Sequence, residues 1–131
     1  MSPSVDADVW FGSDGTISIS ATPDELVALS RALSNDTDVV INLSPSVPAS
    51  PYIAAADGIC IRIESEPGVA ILQHVDKVVI SGHPEALGIL AGNIARLARD
   101  PATFGARIHI EYFPEHFYVR AGSVPLIVAV T

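Results

Sequence analysis
The sequence predicts an α+β fold: a two-layer sandwich of a mostly antiparallel sheet with two helices on one face. Three observations carry this. Several short segments alternate apolar and polar residues with period two, as half-buried strands do. Two segments instead repeat apolar residues every three or four positions, as helix faces do. Most telling, Ile19-Ser20-Ala21-Thr22-Pro23-Asp24-Glu25-Leu26-Val27-Ala28-Leu29 aligns without gaps on Ile80-Ser81-Gly82-His83-Pro84-Glu85-Ala86-Leu87-Gly88-Ile89-Leu90. Isoleucine, serine, proline, an acid and two leucines recur at matching places. The chain therefore reads as one domain over residues 1–131 built from a duplicated strand-strand-helix-strand-strand unit, with pseudo-repeats at 8–64 and 69–130.

In chain order, Met1 to Ala7 reads as a loose end. Asp8 to Phe11 is a short strand, Gly12-Ser13-Asp14-Gly15 is turn chemistry, and Thr16 to Ser20 alternates as the hairpin partner. Thr22-Pro23-Asp24-Glu25 is a capping box, with the Thr22 hydroxyl placed for the Glu25 N–H and Glu25 reaching back. The first helix then runs to about Leu33 with Leu26, Leu29 and Leu33 inward. Asn35 and Asp36 break the chain before a strand at Asp38–Leu43. Three prolines (Pro45, Pro48, Pro51) make Ser44 to Tyr52 an extended surface loop, and Ile53 to Gly58 is undetermined. Ile59 to Glu64 alternates again, and Glu66-Pro67-Gly68 is a turn. Val69–Gln73 and Lys77–Ser81 form the second hairpin. Pro84 suits the first position of the second helix, whose inner face is Leu87, Leu90, Ala91, Ile94 and Leu97, with His83 in the cap position that Thr22 holds earlier. Asp100-Pro101 ends it, 101–106 is a linker, Arg107–Phe113 is a strand, and Val124–Val130 is an apolar final strand with Pro125 near its start.

Composition narrows the function. The chain has 131 residues, 49% of them hydrophobic, with a mean hydropathy of +0.41. So apolar a small chain is expected to have part of its surface covered by another chain. The apolar runs are far below membrane-span length, and the acidic start lacks a basic signal region. One cysteine, Cys60, offers neither a disulfide framework nor metal-ligand spacing. The expectation is a cytoplasmic protein without membrane or cofactor. Net charge is −8, from fifteen acids and seven bases. That opposes nucleic-acid binding, which needs clustered Lys and Arg, and suits a basic partner.

Two helices on one face leave the other sheet face open. By alternation that face carries Arg62, Glu64, Arg107, His109 and Glu111 beside Val40, Cys60 and Phe113, a candidate contact surface. His109 and Glu111 point the same way, and Glu115-His116 follow. This is a weak pattern for a metal or catalytic site, lacking a defined third ligand and supporting partners. No G-x-S-x-G, phosphate loop or paired nucleophile and base occurs.

The second half resembles a known family. Ser81-Gly82-His83-Pro84-Glu85-Ala86-Leu87, Leu90-Ala91, Ile108-His109-Ile110-Glu111-Tyr112 and Gly122-Ser123-Val124-Pro125-Leu126-Ile127-Val128 are similar to the immunity protein 32 family, over roughly Val78 to Val128. Those proteins are predicted bacterial antidotes encoded beside polymorphic toxins. The resemblance implies a non-enzymatic protein that binds and blocks a cognate toxin, and the family supplies no catalytic residues. The residues alone leave two alternatives open: a small enzyme or metal- or ligand-binding domain using His109, Glu111 and His116, or a structural dimeric domain. A homodimer is expected in any case, because the final strand is apolar on both faces and uninterrupted by charge.

Overall fold
The computed structural model describes residues 4–5, 7–43, 54–100, 107–114, 116 and 118–130. Within them lie β1 (Ser4–Val5), β2 (Asp8–Phe11), β3 (Ile17–Ala21), α1 (Pro23–Leu33), β4 (Val39–Leu43), β5 (Ala54–Ala55), β6 (Gly58–Ile63), β7 (Val69–His74), β8 (Lys77–Gly82), α2 (Pro84–Arg99), β9 (Arg107–Ile110) and β10 (Leu126–Val130). The expected loop at Ser44–Tyr52 and linker at 101–106 lie outside the described residues. The α+β class holds. The strands, however, divide between two mixed five-stranded sheets, ordered β1-β4-β6-β8-β7 and β5-β2-β3-β10-β9. We call these the first and second sheet.

This division follows from the duplication. The order β2-β3-α1-β4-β6 recurs as β7-β8-α2-β9-β10. Each half supplies two antiparallel pairs: β2 with β3 and β4 with β6, then β7 with β8 and β9 with β10. The pairs do not join within their own half. Instead β6 runs parallel to β8, and β10 runs parallel to β3. Each sheet is thus made of one hairpin from each half. The two parallel contacts are in equivalent register: Ile61 sits opposite Ile80, and Val128 opposite Ile19.

Alternation decides which side chains enter the core. Ile17 and Ile19 on β3, Ile59 and Ile61 on β6, Val78 and Ile80 on β8, and Leu126 and Val128 on β10 are all buried. Leu26, Leu29 and Leu33 of α1 and Leu87, Leu90 and Ile94 of α2 pack into the same cluster. At ~25 cal/mol per Å² of apolar area removed from water, this cluster is the main stabilising term. The two helices meet where the repeats meet. The buried Ser30 hydroxyl donates to the Ala91 carbonyl at 2.9 Å, 61 residues away, and 61 is also the spacing that aligns Ile19 with Ile80.

Three departures from the expected elements have local causes. The supposed loose end contains β1, which pairs parallel with the outer edge of β4; two residues are too short to show a period. The strand from Arg107 stops at Ile110, where its ladder with β10 reaches Leu126. The next residue, Pro125, has no N–H, and its carbonyl already accepts from the Ile17 N–H at 2.9 Å. That places Pro125 immediately before β10. Finally, β10 is interior, paired with β3 and β9, so its apolar residues meet partners inside the chain.

The helix caps differ in strength. The Thr22 hydroxyl oxygen accepts from the Glu25 N–H (3.3 Å) and the Glu25 carboxylate accepts from the Thr22 N–H (2.9 Å), a complete capping box. His83 offers only Nδ1, which accepts from the Glu85 N–H at 3.2 Å. We expect Thr22→Ala to cost ~1 kcal/mol and His83→Ala less, measured by denaturant unfolding. Val75, in the turn between β7 and β8, has φ of +55°, a strained setting for a β-branched residue, and it is 72% exposed. Val75→Gly relieves that strain, because a two-residue hairpin turn with positive φ at its first position alone favours glycine there; we expect a gain of ~1 kcal/mol in the same assay.

Candidate functional site
The candidate residues form two groups, one on each sheet. On the first sheet, cross-strand register places Val40, Cys60, Val79 and Leu72 in one row across β4, β6, β8 and β7. They point away from the core residues Ile41, Ile61, Ile80 and Ile71. Arg62, one pleat along from Cys60, is exposed. At the other end of the strand Lys77 lies across from Gly58, and its ammonium donates to Asp57 at 2.7 Å. That hydrogen bond raises the Lys77 pKa above its ordinary value.

On the second sheet the matching row is Trp10, Ser18, Ile127 and His109. His109 is exposed, and its Nε2 lies 3.6 Å from a Glu111 carboxylate oxygen. Arg107 shares this face. Beyond β9 the chain carries Tyr112 and Phe113 into solvent, 36% and 57% exposed. Val40, Cys60 and Arg62 therefore belong to a different sheet from Arg107 and His109, and the single open face read from alternation is two faces. Alternation fixes which side of its own sheet a residue occupies but carries nothing about which strands are neighbours.

Glu64 lies on neither face. It follows β6, where its carboxylate accepts from Arg120 Nη1 at 2.7 Å. Arg120 also donates to the Glu66 and Pro67 carbonyls, both at 2.8 Å. The approach is tight: a Cβ added to Gly68, whose φ is +89°, would meet Arg120 Cγ at 2.9 Å. Arg120 thereby holds the turn between the halves, while the Val69 N–H and carbonyl bond the Tyr118 carbonyl and the Arg120 N–H.

His116 is anchored in its loop. Its Nδ1 accepts from the backbone N–H groups of Tyr118 (3.2 Å) and Val119 (3.1 Å). Its ring centroid lies 4.7 Å from that of Phe113 and 4.8 Å from that of Tyr118. A nitrogen that accepts two backbone donors cannot also donate its lone pair to a metal. Among the described residues no three His, Cys, Asp or Glu side chains gather as a metal-ligand set; Glu115 lies outside them. His109 and His116 do border one cavity of about 400 Å³, together with Asn93, Arg96, Arg107 and Tyr118. The Tyr118 hydroxyl accepts from the Asn93 amide at 3.1 Å, and burial pushes its pKa up, so the phenol stays neutral at physiological pH.

Residues 77–131 match the family model of Immunity protein 32. This segment takes in β8, α2, β9 and β10, and contains the stretch Val78 to Val128 whose motifs resemble that family. No curated protein matches the chain. The matched segment contains Arg107, His109, Glu111 and Phe113 of the candidate residues, and excludes Arg62 and Glu64. It also includes Arg120, Asn93 and Tyr118, which sequence reasoning passed over. Arg120 shows no local pattern, because its partners lie more than fifty residues away.

The Arg120 contacts combine charge with geometry, so their loss should be measurable despite partial exposure of Glu64 and Glu66. Arg120→Ala is expected to cost about 1–2 kcal/mol and to speed amide exchange across 64–68. Arg120→Lys, which cannot bridge two carbonyls and a carboxylate with one planar group, should recover less than half. Unchanged exchange in Arg120→Ala would show that the turn holds itself.

Proposed function
We propose that this chain is a non-enzymatic immunity protein that acts in the bacterial cytoplasm by binding a cognate toxin and covering its working surface. The observation that carries this reading is the match of residues 77–131 to Immunity protein 32. The rest of the chain is compatible with it. Net charge of −8 favours encounter with a basic partner. Exposed Tyr112 and Phe113 are side chains of the kind that anchor protein interfaces. No helix among the described residues is long and apolar enough to cross a membrane.

The contact surface in this reading is the second sheet's outer face and the segment after β9: Arg107, His109, Glu111 and Phe113. Arg62 is a separate contact on the first sheet, and Glu64 acts only by supporting the turn. The acting unit is the whole chain, a single domain of repeats 8–64 and 69–130, because each sheet draws on both halves. A complex of ordinary size buries ~1,600 Å² in total, enough for occlusion without chemistry. Self-association into a homodimer would have to use a sheet's outer face or its edge, since β10 is interior.

The cavity bordered by His109 and His116 favours a second reading, a small-ligand or metal site. The two are separated by one comparison. Co-expression of the chain with the toxin encoded beside its gene should restore growth, and His116→Gln, which alters the cavity outside the contact surface, should still protect. Phe113→Asp should weaken toxin binding by roughly tenfold or more, as loss of an anchor does. Failure to protect, with stoichiometric metal in the purified chain, would overturn the immunity reading in favour of the second.

A further inference from the structure
Pseudo-symmetry exposes one unmatched feature. In the first half, the outer edge of β4 is covered by β1, which runs parallel to it with Ser4 beside Asn42 and Val5 beside Leu43. The strand equivalent to β4 in the second half is β9. Registers fix the equivalence: Ile61 and Val128 occupy matching places, and their partners are Val39 and Ile108. Likewise Ile59 matches Leu126, so Ile41 matches Ile110. Counting on, Asn42 matches Glu111 and Leu43 matches Tyr112. Yet β9 ends its sheet, and no strand among the described residues pairs with its outer side. Exposure follows: Leu43 is 8% exposed, while Tyr112 at the equivalent place is 36% exposed, with Phe113 beyond it at 57%.

We infer that the outer edge of β9, continuing through Glu111 and Tyr112, is a strand-addition site for an extended segment of the toxin, which lies parallel to β9 as β1 lies on β4. This rests on the immunity reading and names the part of the surface that does the binding. An unpaired edge offers a row of N–H and C=O groups that another backbone completes. The same chain already shows, on the equivalent edge, that this geometry accepts a parallel strand. Tyr112 and Phe113 would supply apolar contact for the incoming side chains, and a net charge of −8 opposes a second copy of this chain in that place.

The test distinguishes backbone pairing from side-chain contact. In extended backbone, successive N–H groups point to opposite sides, so only one of Glu111 and Tyr112 directs its N–H outward. Both residues lie beyond β9, whose register with β10 ends at Ile110, so proline there spares the ladder with β10. The chain and its variants would be titrated with the purified, catalytically inactivated toxin domain encoded beside the gene. We expect one of Glu111→Pro and Tyr112→Pro to weaken binding roughly tenfold or more beyond its side-chain control, Glu111→Ala or Tyr112→Phe, and the other to differ little from its control. Amide exchange of the unmodified chain should slow at 107–113 on toxin binding, a readout that does not depend on any variant folding. Wild-type binding that all four variants retain, with protection confined to the Val40–Leu72 row, would overturn the edge site and leave the immunity reading standing. No binding and no protection by the wild type would overturn that reading and this occupant with it. A dimer of the chain alone that Tyr112→Pro dissociates would assign the edge to a second copy instead.

Discussion
The contact between α1 and α2 is the constraint on which the rest of the structure depends. At its centre the Ser30 hydroxyl donates to the carbonyl of Ala91, the residue that occupies the same place in the second repeat. A buried hydroxyl without a partner would cost on the order of 1–3 kcal/mol, and here it bonds the opposite half. The equivalent residues Leu26 and Leu87, Leu29 and Leu90, and Leu33 and Ile94 are all buried in the same cluster. Neither half could bury these leucines alone. The same holds for the strands, because β6 completes its sheet with β8, and β10 with β3. Two repeats thus close a core that one repeat leaves open, which is why the chain reads as a duplication yet packs as one cluster.

Much of this was legible in residue order. The capping box at Thr22 and Glu25, the leucine spacing of both helices and the strict alternation of β3 and β6 are local signals, and each appears where its chemistry requires. The gapless alignment of residues 19–29 on 80–90 even locates the helix crossing. Partner choice was not legible. Nothing in Ile59 to Glu64 says that its parallel neighbour is β8 and not β3, because alternation reports a face and carries no record of adjacency. That one missing fact joined Arg62 and His109 on a common face. Arg120 was silent for a related reason, since its contacts at Glu64, Glu66 and Pro67 are long-range. The end of β9 could have been foreseen only by knowing that Pro125 stands opposite the residue after Ile110.

Duplication also gives an internal comparison that a single domain lacks. Inward positions are held apolar in both halves: Ile59 and Leu126, Ile61 and Val128, Ile41 and Ile110. Packing density leaves these sites little freedom. Outward positions have diverged. Val40, Cys60, Val79 and Leu72 on the first sheet correspond to His109, Ile127, Ser18 and Trp10 on the second. Folding alone does not require either set, since the two share one backbone arrangement. The difference therefore records something other than the core.

The direction of that divergence bears on which surface a partner meets. An apolar row flanked by Arg62 and the Lys77–Asp57 pair is suited to flat contact with modest specificity, because such a row offers few directional bonds. The second sheet offers more direction: the His109 and Glu111 side chains, two exposed aromatic rings, and a strand edge whose backbone groups have fixed spacing. A protein that must reject related partners gains more from the second arrangement, since an unpaired polar group penalises a wrong partner more than a missing methylene does. The edge also lies within the segment 77–131 that matches Immunity protein 32, whereas three of the four residues of the apolar row, Val40, Cys60 and Leu72, lie outside it. The strand edge and the family match thus fall on the same strand, β9, which β10 joins to β3 of the first half.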